Sequence, residues 1–421
     1  MIKFLLKGIL RDRSRSLFPF LTVAAGTLII VAARGWLSGV GNDMLWSSAA
    51  FSTGHVKVMT TAYAKDIDLL PNDLAILEAD SVLTELKKSY PDMLWSSRIK
   101  FGGLLDIPDA TGETRAQAII AGLALDLNDA LQVEMLGIDD ALVRGHLPRA
   151  ANELIISDTL AHQLNVSVGD TATLLSSTMY GSSAMHNLVI AGTVHFGIIA
   201  MDRSTVIANL PDIRVALDMA DAASEILGYF PDYLYHDERA RAMSAGFSAA
   251  QEKTDEFALQ MVPLADQQGL GSMISMMGNM STVVIMVFIF AMAIVLWNAG
   301  LMGSLRRYGE IGLRLAVGEE KGHVYRSLIG ESIIVGIGGA IVGTIAGLTL
   351  TYYLQVHGID ISSSMKNSGM MLSNVVRARI TPASYYVGLI PGIVAPLLGT
   401  AISGIGIYRR QTAQLFKELE V

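Results

Sequence analysis

The chain has 421 residues, 51% of them hydrophobic and 17% charged, with a formal net charge of −8 and no cysteine. The lack of thiols excludes disulfide staples and any cysteine-based metal or nucleophile site, so a folded domain here must rest on its own core. In chain order the dominant features are four long uncharged stretches, at residues 17–33, 267–305, 332–359 and 380–408. An apolar bilayer core about 30 Å thick needs roughly 20 helical residues, so each stretch predicts a membrane-spanning helix. The first borrows Arg34 to Leu37 at its edge.

The expected fold class is an α-helical membrane protein with four transmembrane helices, one before and three after a large extracytoplasmic α+β domain. The predicted segments are a cytoplasmic start at 1–16, a first transmembrane helix at 17–40 and an extracytoplasmic domain at 41–272. A stalk and second helix follow at 273–303, then a cytoplasmic segment at 304–327, a third helix at 328–356, an outer loop at 357–382, a fourth helix at 383–408 and a cytoplasmic tail at 409–421. The first stretch is longer than the apolar core of a typical signal peptide. Its nearest small-residue site, Ala32-Ala33-Arg34, opens no plausible mature start, so a retained span is expected.

Basic residues near span ends mark the cytoplasmic side. Lys3, Lys7, Arg11, Arg13 and Arg15 precede the first span, Arg306, Arg307, Arg314, Lys321 and Arg326 separate the second from the third, and Arg409, Arg410 and Lys417 follow the fourth. Both termini are therefore expected inside. Residues 41–280 carry 31 acidic against 14 basic residues, a net −17, and are expected outside. Tyr352, Tyr353, Tyr385 and Tyr386 at the outer ends, with Tyr308 and Tyr408 at the inner ends, fit interfacial aromatic belts.

Within the insert, apolar or alternating runs of strand length occur at residues 51–59, 154–157, 171–175 and 189–194. Helical periodicity occurs at 74–90, 157–164, 213–219 and 239–262, with Ser157 a candidate N-cap. The interleaving predicts two sub-lobes, one from residues near 41–110 and 215–265 and the other from 111–214.

The 39 uncharged residues at 267–305 would make a helix of about 58 Å, nearly twice the apolar thickness. The outer part, residues 267–281, is therefore expected to be a stalk, partnered by residues 36–46. Val40, Leu45, Met273, Met276, Met277 and Met280 give this stalk an apolar surface. It serves either ordinary packing or an adaptable cavity for a lipid or acylated cargo.

Catalytic patterns are missing. No GxxxxGK[ST], HExxH or GxSxG run occurs, and His186 and His195, the closest thing to a metal pair, read as ordinary hairpin residues. No catalytic, cofactor or metal site is expected, no nucleic-acid partner is expected, and any energy source must lie on another subunit.

Residues 304–318, Ser-Leu-Arg-Arg-Tyr-Gly-Glu-Ile-Gly-Leu-Arg-Leu-Ala-Val-Gly, followed by a second basic run, form an amphipathic segment between the second and third spans. By composition it reads as a helix lying at the membrane surface. It also resembles the coupling region of the FtsX/MacB/LolC-LolE superfamily of ABC transporter permeases, with Arg307, Glu310, Ile311, Gly312, Arg314, Ala316 and Gly318 at matching places. Gly145-His-Leu-Pro148, Asn152 to Ser157, Leu160-Ala161, Leu164 and Val168-Gly-Asp170 are similar to the ectodomain pattern of the same superfamily.

The resemblance, closest to the lipoprotein-releasing LolC/LolE type, implies an inner-membrane subunit that works with a separate ATP-binding subunit, where ATP and Mg would sit. It further implies a second permease copy or homologue, a lipoprotein or lipid-like substrate drawn from the outer leaflet, and mechanotransmission through the stalks. The place equivalent to the family's carrier-binding hook is the loop at 176–187, with Met179, Tyr180 and Gly181 as a candidate partner loop for a periplasmic carrier. That loop is shorter than the family hook, and an ordinary hairpin connection is the alternative. An FtsX-like regulator of an outer partner and a MacB-like efflux subunit are the alternative functions. Gly339, Gly343 and Gly347, with Gly388 and Gly392, are expected to bring spans of this chain close together.

Overall fold

The computed structural model describes residues 13–109, 111–196, 199–249, 255–360 and 375–409. It divides into a helical unit (Met1–Gly41, Ser275–Ile359 and Val375–Val421) and an α/β unit (Asn42–Ile274 with Asp360–Asn374). Four described helices are long and apolar enough to cross a membrane, one ahead of the α/β unit in sequence and three after it.

The first apolar stretch becomes α1 (Arg13–Ser48), continued by a π-type turn (Ala49–Thr53) and ended by Gly54 at φ +62°. The expected strand over 51–59 is thus corrected to β1 (Val56–Thr60). Nothing in Ala49-Ala50-Phe51 opposes a helix, and only glycine releases the chain into a left-handed conformation.

Among the described residues, nine further strands of four residues or more follow. They are β2 (Leu94–Pro108), β3 (Thr114–Leu125), β4 (Leu142–Gly145), β5 (Glu153–Ser157) and β6 (Thr171–Ser177), then β7 (Ser183–Val194), β8 (Thr205–Asn209), β9 (Glu225–Tyr229) and β10 (Leu259–Pro263). The pairings β2–β3, β3–β8, β8–β5, β5–β7, β7–β6 and β6–β2 close on themselves. The result is a six-stranded barrel, which leaves no edge on any of these strands. Ile99, Phe101, Leu105, Ile120, Leu154, Leu188, Ile190 and Val206 fill its interior. Gly122 faces Phe101 across the β2–β3 ladder, and a side chain there would occupy the space of the Phe101 ring.

The second sub-lobe is the antiparallel sheet β10–β1–β9–β2. The long strand β2 belongs to both, pairing with β9 through residues 94–98 and with β3 from Ile99 onward. One face of this sheet is covered by α2 (Ala79–Ser89) and by the helix Asp237–Ala249, through Val56, Val58, Trp95, Ile226, Leu86 and Ala240. The expected helix at 74–90 starts later than predicted because Ile76–Leu77 pairs with Ala222–Ala223 and Glu78 takes φ +50°. The helix expected over 239–262 is also corrected: it stops at Ala249, and Leu-Gln-Met-Val-Pro alternates into β10. The helix expected at 213–219 lies at Leu210–Ala216, started by Pro211 in its first turn. Ser157 caps Asp158–Leu164 as expected, its hydroxyl accepting from the Leu160 amide at 3.0 Å.

In the helical unit, α3 (Leu270–Ala316) is joined by a tight turn to α4 (Lys321–His357), and α5 (Leu389–Arg409) packs along α4. Gly339, Gly343 and Gly347 sit against the backbone carbonyls of Phe20, Ala24 and Leu28 on α1. Gly392 lies against Ala340. The small-residue ladders thus do what their spacing suggested, seating α4 directly on α1 and α5.

Candidate functional site

The hairpin joining α3 and α4 is built from the sequence motif. Helix α3 runs without a break through residues 304–316, which corrects the expectation of a separate surface-lying helix. Arg, Leu and Glu are good helix formers, so the charges at 306–314 interrupt the apolar run without interrupting the helix. Glu319 donates its amide to Arg314 O at 3.0 Å and Gly318 to Leu315 O at 3.1 Å, with Gly318 at φ +96°. This is a Schellman cap, and it explains why a glycine closes the motif. Val324 is buried between Leu315 and Leu328, fixing the start of α4 against the end of α3.

At this tip Ala316, Val317 and Gly318 are exposed. Leu313 and Val317, one helical turn apart, are 61% and 82% exposed and present an apolar knob that the sequence motif did not single out. Their signal was apolar residues at a spacing of four in an otherwise charged segment. Arg307, Glu310, Ile311 and Gly312 lie on the last turns of α3, but their side chains fall outside the described residues. Arg314 is half-buried.

The six residues expected to line a substrate cavity separate into groups. Within the helical unit, Met276 and Met280 are exposed and begin a row with Val283, Val287, Phe290 and Ile294, spaced alternately by four and three along α3. Met277 instead turns toward Gly41, where an added side chain would collide with its methyl group, and Val40 is half-buried. Within the α/β unit, Leu45 and Met273 pack with Trp46, Leu264 and Leu270 around Tyr229. Helix α3 therefore carries an open apolar face on one side and a packed one on the other.

The candidate partner loop is five residues, 178–182, closing β6 onto β7 after the pair Ser177 and Ser183. Met179 is folded inward and its amide donates to Leu217 O at 2.8 Å. Tyr180 is 74% exposed, and Gly181 supplies the left-handed turn at φ +80°. Of the three candidates, Tyr180 carries the large exposed side chain. Among the described residues no group of three or more His, Asp or Glu is placed to hold a metal. His186 contacts Asn152 Oδ1 at 2.7 Å and His195 contacts Asp202 at 3.3 Å, so the two do not face a common point.

A different set of charges was missed by the sequence reading. On the face of the sheet opposite α2, Lys57, Arg98 and Glu225 are buried and Lys100 is half-buried beside them, with Lys57 Nζ 2.7 Å and Lys100 Nζ 3.0 Å from the Glu225 carboxylate. Burial alone would raise the Glu225 pKa, but Lys100 and Lys57 hold it at about 2. Burial pulls Lys100 down to about 8 against the pull of Glu225. The signal was charge at alternate positions of strands whose other residues are apolar.

Residues 282–412 match the family described as FtsX-like permease C-terminal. The chain is 24% identical over 245 residues to the lipoprotein-releasing system transmembrane protein LolC of Haemophilus influenzae, covering 54% of this chain and 55% of that protein. It thus spans about half the length of the curated relative it matches. The periplasmic region of MacB from Actinobacillus actinomycetemcomitans aligns with 54% of this chain and 95% of its own at a TM-score of 0.36 and 8% identity. The likeness to FtsX-like permeases is carried by residues 282–412.

Proposed function

We propose that this chain is the permease subunit of an ATP-driven transporter that extracts a lipoprotein or similar amphiphile from the outer leaflet of the inner membrane. The observation that carries the proposal is α3, a single helix of 47 residues ending in the capped hairpin tip with Leu313 and Val317 exposed. At 1.5 Å per residue it is about 70 Å long, more than twice the apolar thickness of a bilayer. A rod of that length suits mechanical transmission from an ATP-binding subunit at one end to an outer domain at the other. Its row of exposed Met276, Met280, Val283 and Val287 supplies apolar surface for acyl chains or for a second permease copy. Orientation with both termini inside, and Tyr180 as the contact for a periplasmic carrier, belong to the same proposal.

The test is reconstitution of this chain with an ATP-binding subunit in lipid nanodiscs. Stimulated ATP hydrolysis should fall at least tenfold in Glu310→Lys and in Gly312→Trp with insertion unchanged, and lipoprotein or lipid should crosslink to Met276 and Met280. Unchanged stimulation in both variants would remove the coupling role. ATP cycling without any crosslinked amphiphile would favour a regulator of an outer partner.

A further inference from the structure

The last carbonyls of a helix have no partner within it and carry the negative end of its dipole. At the end of α1, which lies in the α/β unit, three of them are taken by side chains from other elements of that unit. Ser48 O accepts from Thr53 Oγ1 at 3.2 Å and Ala49 O from the Gly54 amide at 2.9 Å. Ala50 O accepts from Arg98 Nη1 at 2.6 Å and from Tyr229 Oη at 3.4 Å. Ser52 O accepts from Lys100 Nζ at 3.1 Å, and Thr53 O from Gln267 Nε2 at 3.2 Å.

Two cations, Lys57 and Lys100, share one carboxylate, Glu225, and a third, Arg98, is buried beside them in a site almost closed to water. Such a surplus of positive charge is costly to bury unless something negative faces it. The dipole and carbonyls of the α1 end are what face it. Gln267 also donates to Val262 O at 3.1 Å, and it stands three residues before α3 begins, while Gln268 Nε2 donates to Ser52 Oγ at 3.1 Å. The end of α1 and the start of α3 are therefore gripped by one polar cluster on one face of the sheet.

We propose that this cluster is a transmission joint in which Arg98, Lys100 and Gln267 act as positioning residues, making displacement of α1 and α3 move the β10–β1–β9–β2 sheet with them. The inference rests on the proposed coupling to an ATP-binding subunit, and its test separates the two. The chain has no cysteine, so single cysteines can be introduced and spin-labelled at exposed Val215 in the α/β unit and exposed Ile345 on α4. In the reconstituted complex both labels should respond to ATP. In Arg98→Met the response at Val215 should fall by about tenfold, as for one lost charged hydrogen bond, while that at Ile345 persists. Arg98→Lys, which keeps a cation beside Ala50 O, should restore most of it. If Arg98→Met does not fold, Gln267→Met, a neutral change losing the Thr53 bond, gives the same comparison. An undiminished Val215 response in a folded variant would overturn the joint. No response at either label in the parent complex would overturn the ATP-driven reading, and the joint with it.

Discussion

The two units are held together by opposite means. In the barrel of the α/β unit the large apolar side chains point in, as Ile99, Leu105 and Ile190 do, and water is excluded from them. In the helical unit many large apolar side chains point out, with Phe290 69% and Ile345 61% exposed, and beside a small core of Val23, Ile30, Met292 and Leu296 the glycines at 339, 343, 347 and 392 form close contacts. Lipid tails are as apolar as leucine, so burying leucine gains little there and close backbone approach becomes the source of stability. Conversely, the α/β unit tolerates one concentrated set of buried charges because a helix end and a carboxylate complete it.

The sharpest way to break this contrast is Glu225→Gln. It leaves Lys57 and Lys100 with no carboxylate beside buried Arg98, so we expect a loss of roughly 3–5 kcal/mol. Chemical denaturation of the chain in detergent should show the cost confined to the α/β transition. A loss under about 1 kcal/mol would mean that the α1 end alone compensates the cations.

Acid should act on the same unit. Burial lowers the His55 pKa from 6.5 to about 4, and its Nδ1 accepts the Phe230 amide at 2.9 Å. Below pH 6.5 the unfolded chain takes up a proton that the folded chain refuses until about pH 4. The stabilisation is therefore complete above the first value and is lost as pH falls to the second, by about 3 kcal/mol in all. His55→Phe should flatten this part of a melting-temperature profile against pH. An unchanged profile would exclude His55 as its source.

For the helical unit the corresponding change is Gly343→Leu. A side chain there meets the Ala24 carbonyl and Thr27, so α1 and α4 must separate. Overpacking of this kind costs about 1–3 kcal/mol. It should lower the thermal transition of the helices while leaving the His55-dependent acid transition in place. Gly278→Leu on the open side of α3, where an added side chain meets nothing within 4 Å, is the control.

Much of this contrast was legible in the sequence. The uncharged runs located the four long helices, because length and apolarity are what a bilayer demands, and the four-residue spacing of glycines located their contacts. Ser157 was readable because an N-cap is a local interaction. The end of α1 was not: residues 51–59 alternate like a strand, whereas the helix runs on to Thr53, where its carbonyls meet Arg98, Lys100 and Gln267. The joint itself was hidden for the same reason. Lys57, Arg98 and Glu225 are far apart in sequence, and their meeting depends on strand order, which periodicity does not encode. At the cytoplasmic-type motif, charge was mistaken for a helix boundary, whereas the true boundary was Gly318.

That glycine offers the smallest and most local test. At φ +96° an alanine would be strained by about 1–2 kcal/mol although no neighbour lies in its way. The strain should fall on the two capping bonds from Gly318 and Glu319, so amide exchange at residues 313–320 should rise about tenfold in Gly318→Ala. Neither the α/β transition nor the glycine-ladder transition should move. If the hairpin tip is what an ATP-binding subunit grips, stimulated hydrolysis should drop in step with the loss of the cap, and Gly318→Asn, which tolerates a positive φ better, should retain more of both. Raised exchange with full stimulation would mean that the subunit holds α3 above its last turn rather than by the knob of Leu313 and Val317.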